Sequence, residues 1–334
     1  MNKVKLFKTT AICLALGISA QSHGAELAKV TINQAFQSLL YLPLYVAKDE
    51  GFFKQQGVDV KISTGGGGAQ SWAAVIGGSA DFSIQDPVFV PKSREMGADG
   101  VVVAAVQNAP TVFIFGKDGT SLQNNLKALA GKRVVTSPQP DTTWAFMSYL
   151  TKQKGIKNVK FVHVPIGNEI PAVAAGRADY ALAVEPQVSQ AEELNKLPIV
   201  YSFSANKDWF PFAFSSLTTT NGYLAKHPKR AQAVVTAFEQ ASQFIYKDTD
   251  KAIAIADKYF SNLPKDIVRQ AVMRNVKAKG YPEHVLVTKE SWDHNMNIAA
   301  YAKNIKGYPT KATSWKNNVN TALAEKAEQI VDGK

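Results

Sequence analysis

The feature that most restricts this chain is a short pattern written twice. In Val75-Ile76-Gly77-Gly78-Ser79-Ala80-Asp81-Phe82-Ser83-Ile84 an apolar helical stretch stops at glycine, and any residue, Ala, Asp, an aromatic, any residue and an aliphatic follow. The same order returns at Val173-Ala174-Ala175-Gly176-Arg177-Ala178-Asp179-Tyr180-Ala181-Leu182, with Gly78 and Gly176 98 residues apart. Each copy reads as helix, turn and strand, and a β-rich run precedes each, Val58–Ile62 and Val159–Val164. Two α/β units of one design imply two lobes. Strands alternating with helices further imply right-handed crossovers and mostly parallel sheets. The expected fold class is α/β: two lobes, each a mostly parallel sheet flanked by helices, with a cleft between them.

The expected segments are 1–25 as a leader, 26–117 as the first part of lobe one, 118–220 as lobe two, and 221–334 as a return to lobe one. The leader rests on Lys3, Lys5 and Lys8 before the apolar run Ala11–Ile18, with small residues from Ser19 to Ala25. Cleavage after Ser22 or after Ala25 fits equally, and export of the chain is expected. The single cysteine, Cys13, lies inside that leader, so disulfides are not expected to hold the fold. The continuously apolar Val101–Val106 suits a strand buried on both faces. Thr111–Phe115 is placed as a strand of lobe one, and Phe214–Thr219 as the last strand of lobe two. Beyond it the chain reads as helices over 229–246, 251–260, 265–279, 289–304 and 315–331, covering lobe one.

Charge excludes little but directs attention. The chain carries +11, of which the leader lysines account for three, leaving about +8. The lysines are scattered without interleaved aromatics, so nucleic acid is not an expected partner. The balance adds a mild preference for anions.

Four glycines, Gly65–Gly68, open a helix after the Val58–Ile62 strand. A phosphate-cradling loop would continue Gly-Lys-Ser/Thr, whereas Ala69-Gln70 follows, so nucleotide binding is not expected. The helix start still offers backbone N–H groups to an anion. In α/β sheets ligands sit at the carboxyl ends of strands, and that position names the candidates. They are Gln37 and Ser38; Gly68, Ala69 and Gln70; Gln85 and Asp86; Asn108; Asp141, Thr142 and Thr143; Asn168; and Glu185. Asp141, Thr142 or Thr143 could instead serve as a helix cap. Glu185 suits a ligand amine or hydroxyl, or pairing with a basic side chain. Trp209 and Phe210, in an unusual Trp-Phe-Pro-Phe run, are candidates for an aromatic wall, although aromatics more often fill cores.

Catalytic patterns are sparse. Neither His-Glu-x-x-His nor Gly-x-Ser-x-Gly occurs. Ser204-Ala205-Asn206-Lys207 matches Ser-x-x-Lys, but no Lys-Thr-Gly accompanies it and the segment does not read as a helix. No cofactor and no metal is expected.

Several segments together resemble the periplasmic solute-binding proteins of ABC importers, in the branch serving nitrate, sulfonates, taurine and thiamine-type pyrimidines. They are Tyr41-Leu42-Pro43-Leu44-Tyr45-Val46-Ala47-Lys48, Gly51-Phe52-Phe53, Gln56-Gly57-Val58-Asp59-Val60, Gly78-Ser79-Ala80-Asp81, Leu129-Ala130-Gly131-Lys132-Arg133-Val134, Gly176-Arg177-Ala178-Asp179 and Gly222-Tyr223-Leu224-Ala225-Lys226-His227-Pro228. The resemblance implies a type II-like binding-protein fold, a periplasmic location and a monomer. It also implies a small solute as ligand, and a membrane permease with its ATPase as partners. A sulfonate-, taurine- or nitrate-like anion is the expected solute, with a pyrimidine or other ring compound as the alternative. A periplasmic hydrolase is the rival from another class. The pyrimidine-making branch of the family carries a cysteine-rich motif, for which this chain has no counterpart beyond Cys13.

Overall fold

A computed structural model describes residues 26–333. The expected leader, 1–25, lies outside the described residues. Ten strands occur among them: β1 (Ala28–Gln34), β2 (Val58–Thr64), β3 (Phe82–Gln85), β4 (Val101–Gln107), β5 (Phe113–Gly116), β6 (Arg133–Thr136), β7 (Lys160–His163), β8 (Tyr180–Ala183), β9 (Ile199–Ser202) and β10 (Ser215–Thr219). They form two five-stranded sheets, ordered β2-β1-β3-β10-β4 and β7-β6-β8-β5-β9. In both, the first three strands pair in parallel and the fourth, β10 or β5, runs antiparallel to its neighbours. The fold is the two-lobed α/β arrangement that the repeated pattern implies.

The repeat has a structural reason. Gly78 and Gly176 take left-handed φ of 76° and 72°, which only glycine adopts freely where a helix must stop and turn. The aspartate three residues on then clamps the neighbouring strand. Asp81 accepts the N–H of Thr31 at 2.7 Å and donates its own N–H to the Thr31 carbonyl at 2.9 Å. Asp179 does the same with Arg133, at 2.7 and 2.9 Å. The alanine between glycine and aspartate is buried in both copies. The motif is a sheet-edge fastener, used once per lobe.

Two strands lie in the other sheet from the one expected. Phe113–Gly116, placed in lobe one by sequence, pairs with β8 and β9 in the second sheet. Ser215–Thr219, placed in lobe two, pairs with β3 and β4 in the first. The chain therefore crosses at about 108–112 and 203–214, not at 117 and 220. The reason is burial on both faces: β5 and β10 are wholly buried, so no alternation in their sequence says which sheet they join. The two crossings run side by side. Phe203 N–H donates to the Val112 carbonyl at 3.1 Å, and Phe212 N–H to the Asn108 carbonyl at 3.0 Å.

The C-terminal helices are Pro228–Lys247, Thr249–Tyr259, Lys265–Lys277, Lys289–Tyr301 and Thr321–Asp332, with a short turn of helix at Trp315–Asn318. The expected last helix, 315–331, is thus split. Asn320 N–H bonds to the Val102 carbonyl at 2.9 Å, and that bond to the sheet takes the backbone out of helix. No helix among the described residues is long and apolar enough to cross a membrane.

Candidate functional site

The carboxyl ends of β1, β3, β6 and β8 face each other across the two lobes and enclose a cavity. The space open to the centres of waters is about 50 Å³, enough for several of them. Lobe one contributes Phe36, Tyr41, Gly68, Gln85, Asp86 and Phe89, together with Phe214 and Ser215 from the second crossing. Lobe two contributes Ser137, Asp141, Thr142, Thr143, Ile166 and Glu169. Gly68 is there for close approach: a Cβ on it would lie 2.4 Å from the ring of Phe89. The helix it opens, Gly68–Ile76, therefore abuts the cavity by its N-terminus.

Three carboxyls dominate the lining. Asp86 accepts from the Thr142 hydroxyl of the opposite lobe, from the N–H of Val88 at 2.9 Å and from the Asn295 amide at 3.0 Å. Burial nevertheless pushes it up to about 6. Asp141 begins the helix Thr142–Gln153 but its side chain caps nothing, and burial together with the Asp86 charge raises it to about 7. Glu169 is 5% exposed, accepts the Gly167 N–H at 2.7 Å, and is raised by burial to about 7. No lysine or arginine is among the lining residues. Gln85, 1% exposed, donates its amide to Thr218 at 3.0 Å, while its Oε1 has no hydrogen-bond partner.

The raised Asp141 has a consequence for stability. A carboxyl whose folded pKa lies above its unfolded value contributes stability below the unfolded pKa and loses it as pH rises through the folded one. For Asp141 that window runs from about 4 to about 7. Asp141→Asn is thus expected to match the unmutated empty protein near pH 4 and to exceed it at pH 8, by up to roughly 4 kcal/mol. Urea unfolding at both pH values measures this; equal stability at both would mean that the group is not strained.

Of the residues named from sequence, Gly68, Gln85, Asp86, Asp141, Thr142 and Thr143 line the cavity. The others lie elsewhere. Gln37 is exposed and donates to the Tyr259 carbonyl at 2.6 Å. Ser38 is buried, and its hydroxyl donates at 2.7 Å to the Glu185 carbonyl, tying one lobe to the other. Ala69 and Gln70 face outward because the helix turns them away from Gly68. Asn108 sits in the first crossing, with its Oδ1 buried and unpartnered. Asn168 is exposed, and its neighbour Glu169 takes the place in the lining.

Glu185 is fully buried and turned away from the cavity. It pairs with Arg274 and accepts from Ser189 N–H at 3.1 Å and Ser189 Oγ at 3.0 Å. The basic-partner alternative for this residue is the one the structure contains. Trp209 packs into an aromatic cluster, 5.0 Å from Phe146 and 5.2 Å from Phe203 between ring centroids, and lines a separate outer groove with Tyr149 and Tyr301. Phe210 is exposed. Neither lines the enclosed cavity. Tyr41, Phe89, Glu169 and Phe214 were not singled out by sequence. Only the strand-end rule could have found Glu169, one residue beyond Asn168.

The comparisons agree with this architecture. The model of the NMT1/THI5-like family matches residues 40–252. The chain belongs to this family. Among curated proteins, YtlA of Bacillus subtilis (strain 168), to which a binding role is ascribed, is 25% identical over 325 residues, 95% of each chain. The Saccharomyces cerevisiae 4-amino-5-hydroxymethyl-2-methylpyrimidine phosphate synthase THI13 is 21% identical over 67% of this chain and 69% of its own. Among solved structures, a zinc-bound ligand-binding component of an ABC-type import system from Staphylococcus aureus superposes with a TM-score of 0.74 at 16% identity. It covers 90% of this chain and 99% of that one. The periplasmic nitrate-binding protein NrtA from Synechocystis PCC 6803 gives 0.73 at 13% identity, covering 92% and 90%. At these identities the structural likeness speaks for the fold. As a member of the NMT1/THI5-like family, the chain places its enclosed cavity at the strand ends between its two lobes.

Proposed function

We propose that this protein is the periplasmic substrate-binding component of an ABC importer. It captures one small solute between its lobes and delivers it to a membrane permease driven by an ATPase. The observation that carries this is the cavity between the lobes, bridged by contacts from opposite sides: Thr142 to Asp86 and Ser38 to the Glu185 carbonyl. Two adjacent crossings give such a structure a hinge, and a ligand that touches both lobes favours the closed state by its added contacts. The ascribed binding role of YtlA and the importer role of the Staphylococcus aureus protein support the same reading.

A synthase of the yeast kind is the rival. Its name belongs to relatives matched at 21% identity, and the cysteine-rich motif that the resemblance attaches to that branch has no counterpart beyond Cys13. The solute class expected from sequence is a nitrate- or sulfonate-like anion, in line with the ligand in the name of NrtA, with a ring compound as alternative. Denaturing the purified protein and identifying the released small molecule by mass spectrometry tests the receptor reading. One stoichiometric, chemically unchanged solute is the expected result. Conversion of that solute on incubation with fresh protein would replace the receptor with an enzyme.

A further inference from the structure

We propose that the solute is a compact organic cation presenting several N–H donors, held by Asp141, Asp86 and Gln85 among aromatic rings. This rests on the receptor reading and deepens it. The polar lining is rich in acceptors. Gln85 Oε1 is buried without a partner beside the cavity, its own N–H group already committed to Thr218. Asp141 accepts no hydrogen bond from the described residues, although it stands at a helix start where a carboxylate ordinarily caps. These two groups are spare acceptors, and a ligand with donors satisfies both. Asp86 adds a charge next to Asp141, and Glu169 adds a third carboxyl.

An anion would meet three carboxyls and an orphan carbonyl. In its favour stand hydroxyls and the N-terminus of Gly68–Ile76, whose dipole amounts to about half a charge. The ionised fraction of three carboxyls outweighs it. The protein's positive balance is no remedy, because no lysine or arginine is in the lining. The apolar remainder fits as well. Phe36, Tyr41, Phe89 and Phe214 present rings to the cavity, with Phe36 and Tyr41 5.4 Å apart between centroids, and ring faces attract a cation.

The pH dependence has a definite sign. In the empty cavity Asp86, Asp141 and Glu169 sit at about 6, 7 and 7, so a fraction is protonated near neutrality. A cation expels those protons and binds more tightly as pH rises; an anion needs them and binds more weakly. Three other ionisable neighbours bear on the site. Tyr41 is raised by burial and stays neutral throughout, His163 reaches the Ser137 carbonyl at 3.2 Å, and the Glu185–Arg274 pair follows Val184.

Isothermal titration of the purified full chain, freed of bound solute by dialysis, with guanidinium and methylammonium on one side and nitrate and methanesulfonate on the other separates the classes. At least one cation is expected to bind saturably, about tenfold tighter near pH 8 than near pH 5.5, with protons released on binding. Asp141→Asn should weaken that binding about tenfold and flatten its pH profile. If that variant misfolds, the pH profile and proton count of the unmutated chain decide. Saturable anion binding that weakens with rising pH overturns the cation assignment and leaves the receptor reading standing. Binding of neither class at millimolar concentration, or an Asp141→Asn variant of unchanged affinity, overturns it too. Chemical conversion of any probe would instead bring down the receptor reading itself.

Discussion

Arg274→Ala is expected to lower the unfolding free energy by about 3–5 kcal/mol, the usual cost of leaving one member of a buried ion pair alone. Glu185 is fully buried, whereas Arg274 keeps 20% of its side chain exposed, so truncating the arginine strands a carboxylate that water cannot reach. The same guanidinium bonds Glu192 at 2.7 Å and lies 5.5 Å from the centre of the Phe113 ring. All three partners belong to lobe two, whereas Arg274 belongs to the helix Lys265–Lys277 of the return segment. One residue thus joins the return segment to lobe two through three partners. Burial raises Glu185, and the Arg274 charge is the strongest influence pulling it back. Without Arg274 the carboxyl rises further, so the deficit should shrink toward acid, where Glu185 is protonated, and grow toward alkaline pH. Urea unfolding at pH 5 and pH 8 measures both effects. A loss below about 1 kcal/mol at pH 8 would place this pair with solvated surface bridges.

Phe146→Ala should cost about 3–5 kcal/mol and weaken solute binding as well. The ring is fully buried at the centre of the crossings, with Phe203 and Trp209 5.0 Å away, Phe212 at 5.1 Å and Phe214 at 6.1 Å. Tilted and edge-on packing of this kind adds to the burial energy of each ring. Phe214 also lines the cavity, so a void behind it lets one wall of the site relax. Thermal unfolding and a binding titration on the same preparation test the pair of effects. Lost stability with unchanged affinity would show that the cluster supports the hinge without shaping the site.

The two predictions draw on residues that the sequence treated unequally. Trp209-Phe210-Pro211-Phe212 stood out as an aromatic run, but what it forms is mostly the filling between two crossing segments. Phe146 carried no signal at all, since one phenylalanine in an apolar helix looks like any other. Glu185 was legible as important by its place after β8, yet not as half of an ion pair. Its partner is 89 residues away, and no local pattern joins them.

Asp86 and Glu185 illustrate the limit in another way. Both follow a repeated strand and both precede proline, so they stand roughly alike, but the 98-residue offset of the repeat maps Asp86 onto Val184, one residue before Glu185. Asp86 faces the cavity and meets Thr142, whereas Glu185 turns to Arg274. The one-residue offset leaves Val184 in the lining and puts Glu185 against Arg274.

By itself the sequence determined the two α/β lobes, because the Gly-x-Ala-Asp fastener is a local device. A glycine that must be left-handed and an aspartate that must close on the next strand leave a readable trace. It also determined six of the lining residues, since strand ends in such sheets point to one place. Only the tertiary structure decided which lobe owns β5 and β10, because strands buried on both faces have no periodicity to betray their partners. It alone decided which carboxyls gather at the site. A net positive chain and a glycine-opened helix suggested an anion, while burial gathered Asp86, Asp141 and Glu169, distant in sequence, around one small volume. Electrostatics depends on distance in space, which sequence order does not record.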